Sequence, residues 1–283
     1  MPTRLALAVI GAGRAGQARL RALDDSADAR LAAVVSRRDP SGPTFADVLA
    51  DPAIAGVILC TPNLEHPAEA RAALDAGKHV LVEFPLAPGP SEARALWARA
   101  HEQKRVLHEE HIELLSPSQL WQRVRAMSLG RPHGGAIQFS GSAEGWIGDP
   151  SLAGSPALCA LARLHRLVDL FGEAEVRGAS VAGAHGVERG QGYRLEVELG
   201  FAGGGHVSLV EERAPGAPRA MRWHVECEHG LLGDPPAERP AGLFAQDLAS
   251  FVARVTRAAE PYVTEARCLH VLELVAAIER RLC

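Results

Sequence analysis

The first pattern in the sequence that could do chemistry is a glycine-rich run between an apolar stretch and a helical one. It has the spacing G-x-G-x-x-G and reads Gly11-Ala12-Gly13-Arg14-Ala15-Gly16. Glycines at this spacing let the chain turn sharply, let backbone N–H groups approach a diphosphate, and let helix pack on strand. The helix N-terminus adds free N–H donors and a partial positive charge. The run therefore predicts dinucleotide binding by Gly11, Gly13, Arg14, Ala15 and Gly16.

A polar triplet further along the chain indicates which dinucleotide is bound. In NAD-binding proteins an acidic residue, about 20 positions after the glycines, binds the ribose 2′-hydroxyl. This sequence has Ser36-Arg37-Arg38 there, and one hydroxyl with two guanidinium groups can hold a 2′-phosphate. We therefore predict NADPH as the cofactor. Two alternatives stay open: Asp39 is the ribose ligand if the strand ends later, or both arginines are solvated loop residues.

Several arginines in the second half of the chain could bind an anion. Arg163 and Arg166 are three positions apart in an otherwise apolar helical stretch, so they lie on nearby faces of it. Because burying unpaired charge is costly, both should face a cleft or a carboxylate. The alternative for Arg166 is an intrahelical ion pair with Asp169. Further candidates, on or beside later strand-like runs, are Arg213, Arg219 and Arg222.

The run His108-Glu109-Glu110-His111 contains residue types that bind zinc. Its histidines are three positions apart, whereas the zinc motif H-E-x-x-H separates them by four on a helix. Here they lie on a predicted strand and its exit. We therefore predict no metal, and keep His111 as a titratable group at the carboxyl end of a strand, where open α/β sheets bind ligands.

The elements that must position these residues alternate in the first 115 residues. The predicted strands are 5–10, 31–35, 57–60, 79–82 and 106–108, and the predicted helices are 14–23, 45–49, 67–76 and 91–103. Alternation with short connections indicates right-handed crossovers and a parallel sheet covered on both faces. We predict a Rossmann domain over residues 1–115.

The pattern changes over residues 116–283, where we predict a substrate-binding α+β domain. Helices are expected at 117–127, 152–171, 243–258 and 264–282, with strands at 135–141, 176–182, 193–201, 206–212 and 222–228. Residues 193–199 alternate apolar and polar side chains, which is typical of a sheet with one solvated or ligand-facing side. We interpret Gly203-Gly204-Gly205 as a hairpin turn and the whole second sheet as large and mostly antiparallel.

Composition excludes several classes of protein. The 283 residues carry a net charge of −4, so there is no general basic surface for nucleic acid. The five cysteines are Cys60, Cys159, Cys227, Cys268 and Cys283, and their odd number and scattered spacing do not suit a disulfide framework. We find no secretory signal and no apolar run of the roughly 20 residues that span a bilayer. We therefore expect a cytoplasmic protein.

Three further stretches carry a family resemblance. They are Thr61-Pro62-Asn63 with His66, Ala76-Gly77-Lys78-His79-Val80, and Glu83-Phe84-Pro85. With the glycine run, they resemble the glucose-fructose oxidoreductase/inositol dehydrogenase family. The resemblance implies a Rossmann domain joined to a domain with an open, mostly antiparallel sheet. It also implies that Thr61, Pro62, Asn63, His66 and Glu83 lie beside the ribose and nicotinamide of the cofactor.

The sequence departs from the sugar dehydrogenases of that family at their proton-transfer residues. Those enzymes usually have Glu-Lys-Pro, but this chain has Phe84 in place of the lysine. They also have Asp-x-Gly-x-His-x-x-Asp on the active-site helix. If Asp169 is the last residue of that pattern, the other three positions hold Ala162, Leu164 and Arg166.

The biliverdin reductase branch of the family departs in the same way. The resemblance to that branch extends over Val35–Arg38, Ala76–Pro85, Val106–Leu115, Leu170–Glu173 and Glu211–Arg213. It implies hydride transfer from NADPH to the central methine carbon of a tetrapyrrole, with a proton added to a pyrrole nitrogen. Such a substrate needs an apolar slot, positive charge for two propionates, and a proton source.

Roles in that reaction can be assigned to named residues as expectations. Phe84 would line the slot, the alternative being plain core packing. Propionates would be held by Arg163, Arg166, Arg213, Arg219 and Arg222, with Glu113 nearby. Arg163, directly or through a water, is the expected proton source, with His111, Glu113, Glu83 and His165 as further candidates.

Two other functions and two assembly states stay open on the sequence. The chain could be a different NADP-dependent reductase, acting on an imine or a small carbonyl. It could also be a non-catalytic NADP-binding regulator, since the lysine is missing. Both a monomer and a homodimer are compatible with the resemblance.

Overall fold

The computed structural model describes residues 4–39, 41–183, 191–237 and 242–282. The chain divides into two compact units, each with its own sheet. Unit 1 consists of Met1–Ile112 and Ala241–Glu265, and unit 2 consists of Glu113–Pro240 and Ala266–Cys283. The sequence predicted one division at residue 115; in the structure the first unit ends at Ile112, and the segment Ala241–Glu265 groups with it.

Unit 1 contains a five-stranded parallel sheet in the order β2-β1-β3-β4-β5. Its strands are β1 (Leu5–Ile10), β2 (Ala29–Val35), β3 (Gly56–Leu59), β4 (His79–Val82) and β5 (Leu107–Glu109). They alternate with helices α1 (Arg14–Asp24), α2 (Phe45–Ala50), α3 (His66–Asp75) and α4 (Pro90–Glu102). The central strands are apolar and almost fully buried, as expected for a parallel sheet covered on both faces. The predicted Rossmann arrangement is confirmed.

A helix from the end of the chain completes unit 1, and the sequence pattern did not predict its location. Helix α9 (Leu243–Arg257) packs Leu248, Phe251 and Val252 into the core built by Leu7 and Val9 of β1. The apolar side of α9 is therefore buried in the first unit and not in the second. Periodicity predicts that such a helix has a buried side, but not which core covers it.

Unit 2 contains a six-stranded sheet in the order β11-β10-β6-β9-β8-β7. The strands are β6 (Pro132–Ser142), β7 (Ala174–Gly183), β8 (Tyr193–Phe201), β9 (His206–Ala214), β10 (Ala220–Cys227) and β11 (Gly230–Leu232). Strands β8 and β9 form the predicted hairpin, in which Gly204 and Gly205 have positive φ angles of 90° and 91°. Strand β11 was not predicted.

One pairing in this sheet differs from the expected succession of hairpins. Strand β6 is inserted between β9 and β10, antiparallel to β10 but parallel to β9. The spacing between β9 and β10 is that of a hairpin, yet they are not neighbours. The alternation within each strand was correct, but it does not specify which strand lies next to which.

The helices of unit 2 also differ from prediction at one place. Besides α5 (Pro117–Leu129) and α10 (Glu265–Leu282), the expected helix 152–171 is three separate helices, α6 (Pro150–Ala153), α7 (Pro156–Cys159) and α8 (Leu161–Phe171). Gly154 ends α6 with a φ of 84°, and the Ser155 hydroxyl caps the next helix by accepting from the Leu158 N–H. The Gly-Ser-Pro sequence therefore interrupts a pattern that is apolar throughout.

The two faces of the second sheet are chemically different. On β9, Val207, Leu209 and Glu211 lie on the face that α8 covers, while β8 presents Glu196 and Glu198 to solvent on the other face. Period-two alternation explains the difference, because neighbouring residues in a strand point to opposite sides. Whether this sheet binds a ligand must therefore be considered separately for each of its two faces.

Two observations complete the description of the chain. Within the described residues, no helix is long and apolar enough to cross a membrane. Cys60, Cys159, Cys227 and Cys268 are free thiols, and Cys283 lies outside the described residues.

Candidate active site

Two glycines of the G-x-G-x-x-G run are required by close packing in unit 1. Gly11 has a φ of +97°, and a Cβ there would lie 2.6 Å from the Cys60 carbonyl oxygen. A Cβ on Gly16 would lie 1.9 Å from the Gly11 carbonyl oxygen. Both positions therefore accept only glycine, which confirms the sharp turn and the close contact of helix with strand predicted from the pattern.

The middle glycine is different, because open space surrounds it. Gly13 is the N-cap of α1, and no atom of the described residues lies within 4 Å of a Cβ built on it. In that described part of the chain no side chain caps α1, and its first turn holds no acidic residue. The N–H groups at Arg14 and Ala15 thus begin a helix whose positive end is open to a diphosphate.

The polar triplet after β2 fits a phosphate in both charge and exposure. The side chain of Arg37 is 74% exposed and forms an ion pair with Glu65, and Arg38 is exposed as well. The Ser36 hydroxyl accepts from the Arg38 N–H at 3.2 Å, which holds the turn. Asp39 bends onto Ser41, whose hydroxyl donates to its carboxylate at 2.6 Å. These donors fit the 2′-phosphate of NADP, while the Asp39 carboxylate is engaged within its own turn.

The loop after β3 carries the residues that the resemblance places beside the cofactor. The Thr61 hydroxyl donates to the Glu69 carboxylate, Pro62 precedes a single turn of 3-10 helix, and Asn63 is buried in that turn. These residues follow the carboxyl end of a parallel strand, the edge at which such sheets bind ligands. The contact of Thr61, Pro62 and Asn63 with the cofactor stays a prediction.

His66 is buried and contacts the backbone of two loops. It is 0% exposed, and its ring nitrogens each lie 2.8 Å from a backbone oxygen, Nδ1 from Pro85 and Nε2 from Thr61. Burial lowers the pKa of His66, so the ring is neutral. His66 therefore joins the loop after β3 to the loop after β4, and its predicted place beside the cofactor stays a prediction.

Glu83, at the end of β4, belongs to a buried charge network within unit 1. Its Oε1 accepts from Arg19 Nε at 2.6 Å, and Arg19 Nη1 donates to Asp247 Oδ2, also at 2.6 Å. Arg19 and Asp247 are 0% exposed. Burial raises the pKa of Glu83, although Arg19 acts in the opposite direction. The ion pair therefore fixes one oxygen of Glu83 in position.

Asp247 also contacts His108 of strand β5 and is linked through Tyr262 to His111 after that strand. Its Oδ1 accepts from the Tyr262 hydroxyl at 2.6 Å and lies 2.8 Å from His108 Nε2. Although burial opposes ionisation, Arg19 and His108 hold the pKa of Asp247 below its usual range. The Tyr262 hydroxyl in turn accepts from the His111 N–H at 2.8 Å. The network thus continues from α9 to the exit of β5.

Phe84 and His111 form a stacked pair in unit 1. Their ring centroids are 6.0 Å apart with an interplanar angle of 17°. Phe84 is half-buried, so the alternative of plain core packing does not describe it. His111 Nε2 lies 3.7 Å from Glu109 Oε2, whereas His108 faces Asp247. The two histidines of the His108–His111 run thus have different carboxylate partners, in contrast to the shared metal that H-E-x-x-H would provide.

In unit 2, Arg163 faces a carboxylate, as expected for a buried charge. Glu211 Oε2 accepts from Arg163 Nη2 at 2.6 Å and from Nε at 3.0 Å, and both residues are at least 97% buried. Burial alone would lower the pKa of Arg163, but Glu211 and Glu113 raise it above the usual value. Arg163 is therefore a poorer acid than a free arginine, and its role as proton source, directly or through a water, stays a prediction.

Arg166 is held differently and keeps an unused donor. Its Nε donates to Gln119 Oε1 at 2.7 Å, and its guanidinium lies 5.0 Å from the centroid of the Trp223 ring. Within the described residues, its buried Nη2 atom has no hydrogen-bond partner. Burial lowers the pKa of Arg166, which Glu113 only partly offsets. An anion at Nη2 would supply the missing acceptor.

The alternative pairing of Arg166 with Asp169 is not observed. The Asp169 carboxylate instead accepts from Gln119 Nε2 at 2.9 Å, from Arg123 Nη2 at 2.8 Å and from Arg267 Nη1 at 2.8 Å. These three donors occupy the Asp169 carboxylate. The Arg166 guanidinium instead contacts Gln119 and the Trp223 ring of the sheet.

Arg213 and Arg219 complete a group of guanidiniums around one aromatic ring. The Phe139 ring centroid lies 4.3 Å from the Arg163 guanidinium, 4.9 Å from that of Arg213 and 5.2 Å from that of Arg219. Glu113 forms an ion pair with Arg219. Burial opposes ionisation of Glu113, but Arg163, Arg219 and Arg166 lower its pKa. We call these residues, together with Arg166 and Glu211 on the same side of the sheet, the arginine cluster. Its members are Arg163, Arg166, Arg213, Arg219, Glu113 and Glu211.

Arg222 does not belong to the arginine cluster. It lies on the exposed face of the sheet, pairs with Asp234 at 2.9 Å, and lines a shallow depression with Gln138 and His224. Alternation places it on the opposite side of β10 from Trp223, which contacts Arg166. Arg222 is therefore separated from Arg163 and Arg166 by the sheet, and its contact with a propionate stays a prediction. His165, another sequence candidate, is 1% exposed on α8.

Several residues of both sites were missed from the sequence. They are Arg19, Asp247, Tyr262, Gln119, Tyr193 and Glu211 as a partner of Arg163. A usable signal existed for three of them, because Arg19, Asp247 and Glu211 occupy inward positions of otherwise apolar periodic patterns. A charged residue at such a position must have a buried partner.

Comparison with known proteins agrees with this geometry. Residues 5–111 match the oxidoreductase family with an NAD-binding Rossmann fold, and residues 122–239 match the catalytic domain of biliverdin reductase. The chain is 32% identical to biliverdin reductase A of Mus musculus over 296 residues, covering 98% of this chain and 96% of the mouse protein. It is 28% identical to biliverdin reductase A of Homo sapiens, with coverage of 99% and 97%.

A solved structure shares the whole fold. The crystal structure of biliverdin reductase in complex with biliverdin and NADP+ from Synechocystis sp. PCC 6803 superposes with a TM-score of 0.86 over 99% of both chains, at 22% identity. A structure of GenD2 from gentamicin A biosynthesis in complex with NAD has a TM-score of 0.84 at 22% identity, covering 99% of this chain and 95% of GenD2. The chain belongs to the biliverdin reductase family, within the oxidoreductases that have an NAD-binding Rossmann fold.

Proposed function

We propose that this protein is a biliverdin reductase that uses NADPH to reduce the central methine carbon of biliverdin, giving bilirubin. The observation that carries the proposal is the charge of the arginine cluster. It has four guanidinium groups and two carboxylates, which leaves two positive charges. Biliverdin has two propionates, so the excess matches the charge of the substrate.

NADPH supplies a hydride to the substrate when it is bound. The residues that would hold it are the Gly11–Gly16 run for the diphosphate and Ser36, Arg37 and Arg38 for the 2′-phosphate. Thr61, Pro62, Asn63 and Glu83 would line the remaining surface, since they follow the carboxyl ends of β3 and β4. The expected consequence is faster turnover with NADPH than with NADH.

The arginine cluster would bind and orient the substrate through its propionates. Arg166 offers a buried guanidinium N–H without an acceptor, and Arg219 is 68% exposed. Arg213 forms an ion pair with Glu211 and lies over the Phe139 ring. Charge-assisted hydrogen bonds from planar guanidiniums suit carboxylates in both geometry and strength. Phe84 is half-buried and apolar, and it would contact the tetrapyrrole rings.

The proton would come from His111 and not from Arg163. Arg163 is bound to Glu211 with a raised pKa, and the pKa of Glu113 is lowered, so neither is a suitable acid. His111 stacks on Phe84 and lies beside Glu109, a carboxylate that can orient its ring. Imidazole is also the side chain whose ordinary pKa is nearest to neutral pH. We therefore propose His111 as the general acid.

The test is direct. Purified protein is mixed with biliverdin IXα and NADPH while the visible spectrum is followed. The proposal expects the biliverdin band to be replaced by the shorter-wavelength bilirubin band, and expects the dimethyl ester of biliverdin to bind more weakly. NADPH oxidation with an imine or a carbonyl compound but not with biliverdin would indicate a different reductase. NADPH binding without turnover of any substrate would indicate a regulator.

We also propose a cytoplasmic location and a monomeric or homodimeric state. Neither property depends on the reaction itself. Sedimentation velocity would distinguish the monomer from the dimer.

A further inference from the structure

Glu211 has an unusual place among the residues of strand β9. Val207 and Leu209, on the same face of β9, are 0% exposed, and Glu211 continues this row with 0% exposure. A carboxylate at such a position is strongly unfavourable unless it is paired and hydrogen-bonded. An apolar side chain would fill the position without that cost. Its presence therefore has to be explained by what it binds.

Both oxygens of Glu211 bind arginines of the cluster. Oε2 accepts from Arg163 at 2.6 and 3.0 Å, and Oε1 accepts from Arg213 Nε at 2.9 Å. The Tyr193 hydroxyl lies 3.5 Å from Oε1. One carboxylate thus holds two guanidiniums that come from different elements, α8 and β9.

The two guanidiniums held by Glu211 lie over the same ring. Arg163 and Arg213 are 4.3 and 4.9 Å from the centroid of Phe139, which faces them from β6. Two like charges so close together repel each other unless an anion lies between them. Glu211 supplies that anion and so determines the orientation of both planar groups.

We propose that Glu211 is the positioning residue of the arginine cluster: by binding Arg163 and Arg213 it orients them toward the substrate propionates. The proposal rests on the proposed function, since it names what the cluster binds. Glu211 would not touch the substrate itself, because its oxygens are fully buried and already accept from arginines. A role in orientation therefore has to appear as substrate affinity and not as loss of cofactor binding.

The chain offers a matched control next to Glu211. Glu212 is the adjacent residue, has the same side chain, and points to the exposed face of the sheet, where it pairs with Arg194 at 3.3 Å. Its side chain is 55% exposed. Surface pairs of this kind contribute little to stability. Any effect that comes only from shortening an acidic side chain on β9 should therefore appear equally in Glu212→Asp.

The experiment compares Glu211→Asp, Glu211→Gln and Glu212→Asp in the full-length protein. Glu211→Asp keeps the charge but shortens the side chain by one carbon, so it separates orientation from charge balance. We expect its KM for biliverdin to rise about tenfold, with a smaller change in kcat. We expect the affinity for NADPH, measured by nucleotide fluorescence, to stay within about twofold of wild type. Glu212→Asp should match wild type in both measurements.

The dimethyl ester of biliverdin provides the decisive readout. Because it lacks the propionate charges, wild type and Glu211→Asp should have similar KM values for it. An unchanged KM for biliverdin in Glu211→Asp, or an equal rise for the ester, would overturn the proposal. Loss of NADPH binding in Glu211→Asp would overturn it as well, because Glu211 would then be needed for folding. Failure of the wild-type protein to reduce biliverdin would instead reject the proposed function.

Discussion

Glu110 and Glu113 are three positions apart in the sequence, yet their environments have opposite effects on their acidity. Glu110, in unit 1, lies near Glu83 and Asp247, and burial together with these carboxylates raises its pKa well above the usual value. Glu113, in unit 2, lies near Arg163, Arg219 and Arg166, which lower its pKa despite its burial. Position along the chain therefore does not determine acidity; the charge of the surrounding unit does.

The same contrast separates the two buried networks as wholes. In unit 1, Arg19 is bonded to Glu83 and Asp247, so carboxylates outnumber the guanidinium. In unit 2, guanidiniums outnumber carboxylates, and Arg166 keeps a donor without an acceptor in the described part of the chain. Arg19 Nη2 is likewise buried without an acceptor among the described residues, so the difference between the two networks is their charge: the first is rich in carboxylates and the second in guanidiniums. We propose that the first network is mainly structural and that the second binds the substrate propionates.

The largest effect is expected from Asp247→Asn, which breaks the network of unit 1. The change removes the charged partner of the buried His108 and one of the two carboxylates bonded to the buried Arg19, which costs about 3–5 kcal/mol. Urea unfolding, followed by amide hydrogen exchange in β1 and β5, measures the loss. Asp75→Asn is the control, since Asp75 forms an exposed pair with Arg99 in the same unit and should lose at most about 1 kcal/mol. Equal losses of stability in Asp247→Asn and Asp75→Asn would contradict the structural role of the buried network.

Variants of Arg163 and Arg166, which lie on the same helix, should change different properties of the protein: the first its stability and the second its affinity for substrate. Arg163→Met leaves Glu211 with only Arg213, so we expect unfolding to become easier by about 3 kcal/mol. Arg166→Met removes a donor that lacks a partner, so stability should change little while KM for biliverdin rises about tenfold. Thermal unfolding and steady-state kinetics measure the two quantities. A larger loss of stability in Arg166→Met would show that its role is structural.

The pH dependence of stability should have opposite signs in the two units. Since the pKa of Glu110 is raised in the fold, its contribution to stability is complete below the usual 4.5 and is lost as the pH rises through the folded pKa. Since the pKa of Glu113 is lowered, its contribution is present above 4.5 and is lost as the pH falls through the folded pKa. Glu110→Gln should thus gain stability over wild type as the pH rises, and Glu113→Gln should lose it. Urea unfolding over about five pH units, from roughly pH 3 to roughly pH 8, measures both differences.

The smallest effect is expected from Arg222→Ala. Arg222 lies on the exposed face of the sheet and pairs with Asp234, away from the arginine cluster. We expect KM for biliverdin to stay within about twofold of wild type and stability to change by less than about 1 kcal/mol. A large rise in KM, measured beside Arg166→Met, would show that the substrate uses the other face of the sheet.

The local elements followed closely from the residues, and the errors occurred where long-range packing decides. The glycine run, the strands of unit 1 and the β8–β9 hairpin could be predicted because turn chemistry and apolar periodicity are local. The insertion of β6 between β9 and β10 could not, since strand order depends on contacts between distant segments. The same applies to α9, whose apolar side fits either core by pattern alone.

The sequence by itself determined that the chain has a nucleotide loop, two kinds of sheet, and arginines at buried helical positions. It also showed that the sugar dehydrogenase lysine is replaced by Phe84. Only the tertiary structure decided which charges are neutralised, because an ion pair depends on distances between residues far apart in the chain. Thus Arg163 is bound by Glu211, 48 positions away, while Arg166 retains a buried donor. The physical reason is that periodicity fixes the face of an element, whereas electrostatic pairing is fixed by what packs against that face.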